Sequence, residues 1–331
     1  PKDSSLFISV AEEDALIHAE RVLFGISCSL HLPALFCLLM ATPPHQAPIK
    51  PFLIACQISV LLADVYYSVL FEPTFLAEAY LIYCKGLLCL ILPTSSAMGL
   101  YIYAIGALAM STLACIITRH QGMMPITSVW KMSERSRRAM MIGVLIAFTI
   151  PTSIFTVFPF SAEESDRLMN KSRYDLGWVR KRGRYVKFPK EIFVPVISWS
   201  ALTCFFVTLI IAMTLFVHMF YVLSQETSTS THTKALIRQS LRRLFMQLNV
   251  PILLVALPLI VLFLQIETSC FPIKSATVAM SLTPFHPIVH NCVLLFVVPT
   301  YRKVITGAIC KRPCFGSGPA TVRISLVVTQ P

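Results

Sequence analysis

The feature that most constrains this chain is a series of long stretches that lack Asp, Glu, Lys and Arg. Such stretches lie between Arg21 and Lys50, Lys85 and Arg119, Arg138 and Glu163, Glu191 and Glu226, Arg243 and Glu267, and Lys274 and Arg302. A further stretch, between Lys50 and Glu72, is interrupted only by Asp64. A helix needs about 20 apolar residues to cross the hydrocarbon core of a bilayer, and each stretch supplies them. The pattern predicts an all-α membrane protein, a bundle of seven transmembrane helices.

The same stretches predict how the chain is divided. We place the spans at residues 22–42, 52–71, 86–118, 139–160, 192–223, 244–266 and 275–299. Residues 1–21 are expected to form a solvated acidic tail, residues 22–299 the seven-span domain, and residues 300–331 a cytoplasmic tail. After span seven, the stretch from Tyr301 to Ile309 predicts a short amphipathic helix along the membrane surface, ended by Pro313.

The composition excludes several other classes of protein. Of 331 residues, 56% are hydrophobic and 13% are charged, whereas about a quarter of the residues are charged in a soluble domain. This balance excludes disordered and collagen-like chains and ordinary cytosolic enzymes. The net charge of +12 comes from basic residues between the apolar stretches. Membrane lipids, through their phosphate headgroups, are therefore expected partners, and nucleic acid is not.

The loops indicate which end of the bundle faces the cytoplasm. With the N-terminus outside, the inner segments hold the basic clusters before spans four and six and after span seven, as the positive-inside rule requires. The loop at 161–191 opposes this orientation, because its nine Lys and Arg residues would lie outside. The same loop contains Asn170-Lys171-Ser172, a glycosylation sequon that is used only on the outer side. We expect the N-terminus and a glycosylatable Asn170 to lie outside.

Short motifs follow one another in a fixed order along the chain. A Thr-Pro pair and a Lys precede span two, an Asp lies at its centre and a Pro follows it, while span three ends in CIITRHQGM (115–123). A Gln and a Pro mark span six, and span seven runs into VVPTYRK (297–303). From about residue 20 to 305, this set resembles the nematode serpentine chemoreceptors, with class I (Sri) favoured by the end of span three and class H (Srh) second. The motif residues are Thr42, Pro43, Lys50, Asp64, Pro73, Gln247, Pro251, Pro299, Tyr301 and Arg302.

The resemblance implies a chemosensory G-protein-coupled receptor in the plasma membrane, and in sensory cilia by analogy with the family. A small molecule would bind in the outer half of the bundle, and the resulting population shift would open the cytoplasmic face to a heterotrimeric G protein. The spans contain no HExxH, GxSxG or carboxylate pair, so we expect neither an enzyme nor a cofactor or metal. The alternative is a transporter or ligand-gated channel subunit with inverted topology, although one carboxylate and no Lys or Arg within the spans is sparse for an ion path.

Polar side chains in the outer half of the bundle are candidates for the ligand pocket. Such a pocket is expected between spans three, five, six and seven. For each side chain, a hydrogen bond between helices is the alternative role. The candidates are Thr94, Ser95, Ser96, Tyr101, Gln265, Thr283 and His286.

Asp64 is the only acidic residue within the predicted spans, and a lone carboxylate at membrane depth costs about 3 kcal/mol. At a rise of about 1.5 Å per residue, Asp64 lies near the depth of His286 and His290, which share one helical face. Spans two and seven are neighbours in the architecture that the resemblance implies. We therefore expect a cluster of Asp64 with His286 or His290, either as a switch contact that ligand binding rearranges or as a static hydrogen bond.

Arginines mark the expected cytoplasmic ends of spans three and six. Arg119 stands where rhodopsin-like receptors place the arginine that engages the G protein, but without the usual preceding acidic residue. It is a switch and G-protein-facing candidate, and an interfacial arginine at a helix end is the alternative. Lys234, Arg238 and Arg242 recur every four residues on one helical face. Together with Arg243 they predict a surface for a G protein or for anionic lipid.

Cysteines near the ends of the spans are candidates for two modifications. Cys84 stands where rhodopsin-like receptors form a disulfide, and Cys270 is the other obvious outer partner. A Cys84–Cys270 bridge and two unpaired thiols both remain open. Cys310 and Cys314 lie in a basic context after span seven and are palmitoylation candidates.

The basic outer loop has a further local pattern between Trp178 and Phe188. Apolar residues flank Arg182-Gly183, which predicts a short β-hairpin within this loop. Its charge would attract acidic ligands, or it is a solvated face without a ligand.

Overall fold

The computed structural model describes residues 3–125, 127–157, 160–192, 196, 198–225, 230–268 and 270–310. Its long helices follow the predicted order and form seven spans. Spans one to five are Val10–Met40, Lys50–Val65 with the π-helix Tyr66–Phe71, Thr94–Met123, Glu134–Val157 and Trp199–Gln225. Span six comprises Thr231–Pro251, the π-helix Ile252–Ala256 and Leu257–Thr268, and span seven comprises Ser275–Met280 and Phe285–Val297.

The helices confirm the predicted seven-span membrane architecture. Among the described residues, six helices are long and apolar enough to cross a membrane. Span four, Glu134–Val157, is the seventh and overlaps the span predicted from residue 139. The helix Pro299–Cys310 follows span seven, as the sequence predicts. A proline at its first position is compatible with a helix start, because that N–H has no intrahelical partner.

Span one begins at Val10 and not at residue 22. The Ser9 hydroxyl accepts a hydrogen bond from the Glu12 N–H (3.2 Å), and the Glu12 carboxylate accepts one from the Ser9 N–H (2.7 Å), which forms a capping box. The helix therefore continues beyond the apolar stretch and includes Glu13 and Glu20, both of which are buried. The expectation of a solvated tail is therefore wrong for this part of the chain. Span one as observed contains acidic residues of its own, so Asp64 is not the only acidic residue within the spans.

A three-stranded sheet covers one end of the bundle. Strands β1 (Pro73–Leu76) and β2 (Leu81–Cys84) lie between spans two and three, and β3 (Arg184–Lys187) lies between spans four and five. Both pairings are antiparallel, in the order β1-β2-β3. We call this end the sheet end, and the opposite end, where Arg119 and Arg243 lie, the arginine end.

The predicted hairpin within the basic loop is wrong, because β3 pairs with β2 and not with its own loop. The segment before the turn, Gly177–Lys181, forms a 3-10 helix instead of a strand. Gly183 explains how the two loops come so close. A Cβ at this position would lie 2.5 Å from the Cys84 carbonyl oxygen, so only glycine allows the loop to pass β2.

Cys84 forms a disulfide with Cys89, so the bridge to Cys270 is wrong, and of the two thiols that the alternative left unpaired only that of Cys270 is free. Cys84 ends β2, and the 3-10 helix Leu87–Leu90 turns the chain back, so that the two Cα atoms lie 6.2 Å apart. This separation suits a disulfide. Cys270 is exposed in the loop between spans six and seven and has a free thiol. The bridge and the turn also explain why span three begins at Thr94 and not at residue 86.

Candidate functional site

A cavity of about 160 Å³ lies inside the bundle below the sheet. Spans three, five and six form most of its wall, with Phe148 of span four and residues of the sheet end closing it. Its lining is almost wholly apolar, and the hydroxyls of Thr112 and Thr208 are turned to carbonyl oxygens of their own helices, at 2.9 and 2.8 Å. None of the described side chains that line it is charged. The cavity therefore suits an apolar molecule.

The sheet forms the roof of this cavity. Alternate side chains of a strand point to opposite faces, and here Phe75 and Ile82 face the bundle while Leu76 and Tyr83 face away from it. The outward face is covered in turn, because Leu6 and Ile8 of the N-terminal segment pack on it. Every residue of β1 and β2 is buried as a result. The roof is thus two layers thick.

A buried carboxylate holds the roof together. The residue Glu13 is only 2% exposed, and its carboxylate lies 2.9 Å from Lys85 Nζ and forms an ion pair with Arg182. The Arg182 guanidinium also lies over the Trp178 ring, 5.3 Å from its centroid, and donates to the Ile8 carbonyl oxygen at 3.2 Å. These contacts join span one, the turn after β2 and the loop before β3.

A second set of contacts ties the β1–β2 turn to spans six and seven. The Glu78 carboxylate accepts hydrogen bonds from the Gln265 side-chain amide and the Lys274 N–H, both at 3.0 Å. The Thr277 hydroxyl donates to the Phe75 carbonyl oxygen at 2.6 Å. Gln265, predicted as a ligand contact, is therefore engaged in closing the roof.

Electrostatics at the roof follow from burial and from direct partners. Burial lowers the pKa of Lys187 to about 8, although its ammonium still donates to the Ala79 carbonyl oxygen. On the outer surface, the hydrogen bond from the Tyr185 hydroxyl (2.7 Å) lowers the pKa of Asp166, and Arg180 (2.8 Å) adds to this effect.

The cavity brings together only one of the predicted pocket residues. Tyr101 is buried and lines it, within a cluster of the aromatic rings of Tyr66, Tyr67 and Phe71. The other predicted residues lie outside its lining. Thr94 and Ser95 are buried at the start of span three, Ser96 is half-buried beside them, Gln265 is in the roof, and Thr283 and His286 are buried in span seven.

Asp64 lies in a buried polar cluster. Within its own span, the Ser68 hydroxyl donates to Asp64 Oδ1 at 3.5 Å, and its other partners are on span one. Its Oδ2 accepts a hydrogen bond from the Ser27 hydroxyl at 2.6 Å and lies 3.7 Å from His31 Nε2. The predicted contact with His286 or His290 is wrong. Span seven packs much more closely against span one than against span two, so its histidines do not reach the carboxylate.

The cluster continues from His31 towards span seven through Gln57. The Gln57 side-chain N–H₂ donates to His31 Nδ1 and to Asn291 Oδ1, both at 2.7 Å. Because Nδ1 accepts this bond, the ring proton of His31 lies on Nε2 and points to Asp64. Spans one, two and seven are thus joined by one hydrogen-bonded series.

At the arginine end, two of the predicted arginines meet. Arg119 and Arg243 line a cavity of about 30 Å³ between spans two, three, six and seven, together with Tyr301. Arg238 and Arg242 lie on the same helix as Arg243 and are exposed. Cys310 is the last residue of the helix after span seven, and Cys314 lies outside the described residues.

Sequence reasoning missed a histidine pair near the arginine end. His120 Nε2 of span three lies 2.8 Å from His218 Nδ1 of span five, and the Trp130 ring lies over His218 at 4.6 Å. The Gln121 side-chain oxygen accepts the Met132 N–H at 2.8 Å, which fixes the following loop. The only signal was the run CIITRHQGM, which contains His120 and Gln121 but says nothing about their partner on span five.

Comparison with known proteins agrees with this architecture. Residues 11–311 match the sequence profile of the family described as "Serpentine type 7TM GPCR chemoreceptor Srh". Comparison with curated proteins gives no match. The predicted serpentine chemoreceptor is confirmed, and the matching class is H, the second of the two that the motifs indicated. The chain belongs to the Srh family of serpentine seven-transmembrane chemoreceptors, a family of G-protein-coupled receptors.

Proposed function

We propose that this receptor binds an apolar or weakly polar small molecule in the cavity below the sheet and activates a heterotrimeric G protein at the arginine end. The observation that carries the proposal is the cavity itself, with about 160 Å³ of space and no charged side chain among the described residues that line it. An apolar cavity of about 150 Å³ stays dry and binds a molecule the size of benzene.

Span six offers the connection between ligand and G protein. Its π-helix Ile252–Ala256, next to Pro251, lines the cavity, and the helix continues to Arg243 at the arginine end. Departures from regular helix geometry of this kind are common at functional hinges. A ligand that prefers one arrangement of this segment shifts the population of arrangements at the arginine end. Arg119, Arg238, Arg242 and Arg243 are the proposed G-protein-facing residues.

We propose that the sheet end faces outside, at the plasma membrane and, by analogy with the family, in sensory cilia. Three features support this orientation. The Cys84–Cys89 disulfide needs an oxidising compartment. The sequon residue Asn170 is exposed at the sheet end, and the basic extension of span six lies at the other end.

We expect Asn170 to be glycosylated when the receptor is made in the presence of microsomes. Asn170 is exposed at the end of the helix Ala162–Asn170, where a transferase can reach it. Gel mobility with and without a glycosidase measures the modification, and Asn170→Gln is the control. An unmodified Asn170, together with a C-terminal tag that is protected from added protease inside sealed microsomes, would mean that the topology is inverted, because the lumen of a microsome corresponds to the outside of the cell.

Filling the cavity should weaken the response to ligand. Ala109 of span three lines the cavity, and Ala109→Phe places a ring there, at an overpacking cost of about 1–3 kcal/mol for any bound ligand. A second-messenger assay against volatile and other small uncharged compounds first identifies an agonist. We then expect a tenfold or larger loss of potency (about 1.4 kcal/mol) at equal surface level.

The matched control is Val217→Phe, which adds a ring on the exposed face of span five, away from the cavity. Equal potency for both variants would refute the cavity as the ligand site.

A further inference from the structure

The two sides of the cavity differ in how well they are closed. Near the arginine end, spans five and six pack tightly, with the Phe216 and Phe245 ring centroids 5.2 Å apart and Met219 and Leu241 in one core cluster. Near the sheet end, Leu257–Thr268 of span six packs mainly against Ser275–Met280 and the Ala77–Ala79 turn, and hardly against Trp199–Gln225, the described helix of span five. The two helices therefore diverge where they border the cavity.

The exposure of the lining residues shows where the wall is thin. Leu262, Phe263 and Ile266 line the cavity from the roof side of span six and are buried. The described cavity-lining residues of span five near the sheet end are all half-buried, as are those of span six that face them. Those that border the divergence are Ala201, Leu202, Phe205, Ile252, Leu259 and Ile260. All six are apolar.

Opening the roof would cost much more than opening this wall. A path through the roof must break the pairs of buried Glu13 with Lys85 and Arg182 and the contacts of Glu78. Removing one partner of a buried ion pair costs about 3–5 kcal/mol. Moving an apolar side chain of the wall into lipid costs little, because lipid tails are as apolar as the residues it leaves.

We propose that the ligand reaches the cavity sideways from the bilayer, between spans five and six near the sheet end, and that it is an uncharged molecule that partitions into lipid. This proposal rests on the proposed function, because it takes the cavity as the ligand site. Charge is excluded by the route, since a charged group near the bilayer centre costs about 3 kcal/mol and no described lining residue offsets it. The bilayer then serves as the reservoir from which the receptor samples its ligand.

Cysteine labelling tests the route without any agonist. Ile105 of span three lines the cavity, and Gly177 is exposed in the roof. Full-length Ile105→Cys and Gly177→Cys receptors in lipid vesicles are treated with an uncharged maleimide, N-phenylmaleimide, or with a negatively charged methanethiosulfonate. The mass of each labelled peptide is read at that residue. Normalised to Gly177→Cys, the uncharged reagent should label Ile105→Cys at least about tenfold faster than the charged one, for a difference of about 1.4 kcal/mol or more.

A tryptophan that narrows the gap between spans five and six distinguishes this route from other paths through the lipid. Adding Leu202→Trp should slow uncharged labelling of Ile105→Cys about tenfold. Adding Ile210→Trp, on the lipid-exposed face of the same span (62% exposed), should not. Unchanged labelling of Gly177→Cys in both variants shows that the roof is intact.

Three results would overturn the proposal: equal labelling of both cysteines by the charged reagent, equal slowing by the two tryptophans, or no labelling of Ile105→Cys by either reagent. None of these depends on signalling. Should lateral labelling hold while Ala109→Phe signals normally, the route stands and the proposed function fails.

Discussion

Glu13→Ala should strongly destabilise the sheet end of the receptor. The substitution leaves Lys85 and Arg182 beside a buried void, and breaking a buried pair in this way costs about 3–5 kcal/mol. We expect thermal unfolding of the purified receptor in lipid nanodiscs to begin at a clearly lower temperature, and the surface level in cells to fall.

Asp14→Ala is the matched control. Asp14 is the next residue of the same helix, its side chain is 65% exposed, and it lies 4.0 Å from Lys85, so its contribution is about 0–1 kcal/mol. A double-mutant cycle isolates the energy of the Glu13–Arg182 ion pair. Arg182→Met should lower the free energy of unfolding less in a Glu13→Leu background than in the parent. If Glu13→Ala and Asp14→Ala unfold at the same temperature, the buried ion pair does not hold the roof.

Asp64→Leu should lower both surface level and signalling, whereas Asp64→Asn should change signalling alone. Leucine leaves the hydroxyls of Ser27 and Ser68 without this acceptor, at about 1–3 kcal/mol for each buried group, and removes the charge that lies 3.7 Å from His31 Nε2. Asparagine keeps an oxygen for Ser27 but removes the charge that faces the ring of His31. We propose that this charge biases the arrangement of spans one, two and seven, so basal second-messenger output should shift at normal surface level.

Ser27→Ala provides the control for Asp64→Asn, because it removes a hydrogen bond from the carboxylate and keeps its charge. Signalling that merely follows surface level in all three variants would assign the cluster a static structural role. An Asp64→Leu receptor that matches its parent in both measurements would show that the cluster has no role at all.

The sequence predicted the helices well because membrane spans depend on a local property, the absence of charge over about 20 residues. Span four follows directly from that property, whereas the helix Pro299–Cys310 contains Arg302 and Lys303 and was predicted as an amphipathic helix after span seven. The same criterion misplaced the start of span one, since Glu13 and Glu20 interrupt the apolar stretch without ending the helix. Charge marks where the hydrocarbon ends, and a capped helix can extend well beyond it.

Contacts between distant segments could not be predicted in the same way. β3 pairs with β2 across about 100 residues, and no pattern in the loop between Trp178 and Phe188 indicates which strand it pairs with. Asp64 was correctly expected to be buried and paired, but its partner depends on which helices are neighbours. In the structure that neighbour is span one, so the histidine beside Asp64 is His31 and not a histidine of span seven. The cavity was missed for a similar reason, since its lining is apolar and resembles any other helix surface.

The segments that form the roof are synthesised at different times. The Cys84–Cys89 bridge can close as soon as that short turn reaches the oxidising compartment, but β2 must wait for β3. At about 5–20 residues per second, the delay is about 5–20 s. Leu6 and Ile8, which precede β2 in the chain, remain without their covering partners Tyr174 and Val179 for longer still. Until span four and the loop after it are in place, an apolar N-terminal segment and an unpaired strand are open to chaperones in the same compartment, and the roof is complete only when Gln265 and Lys274 follow and bind Glu78.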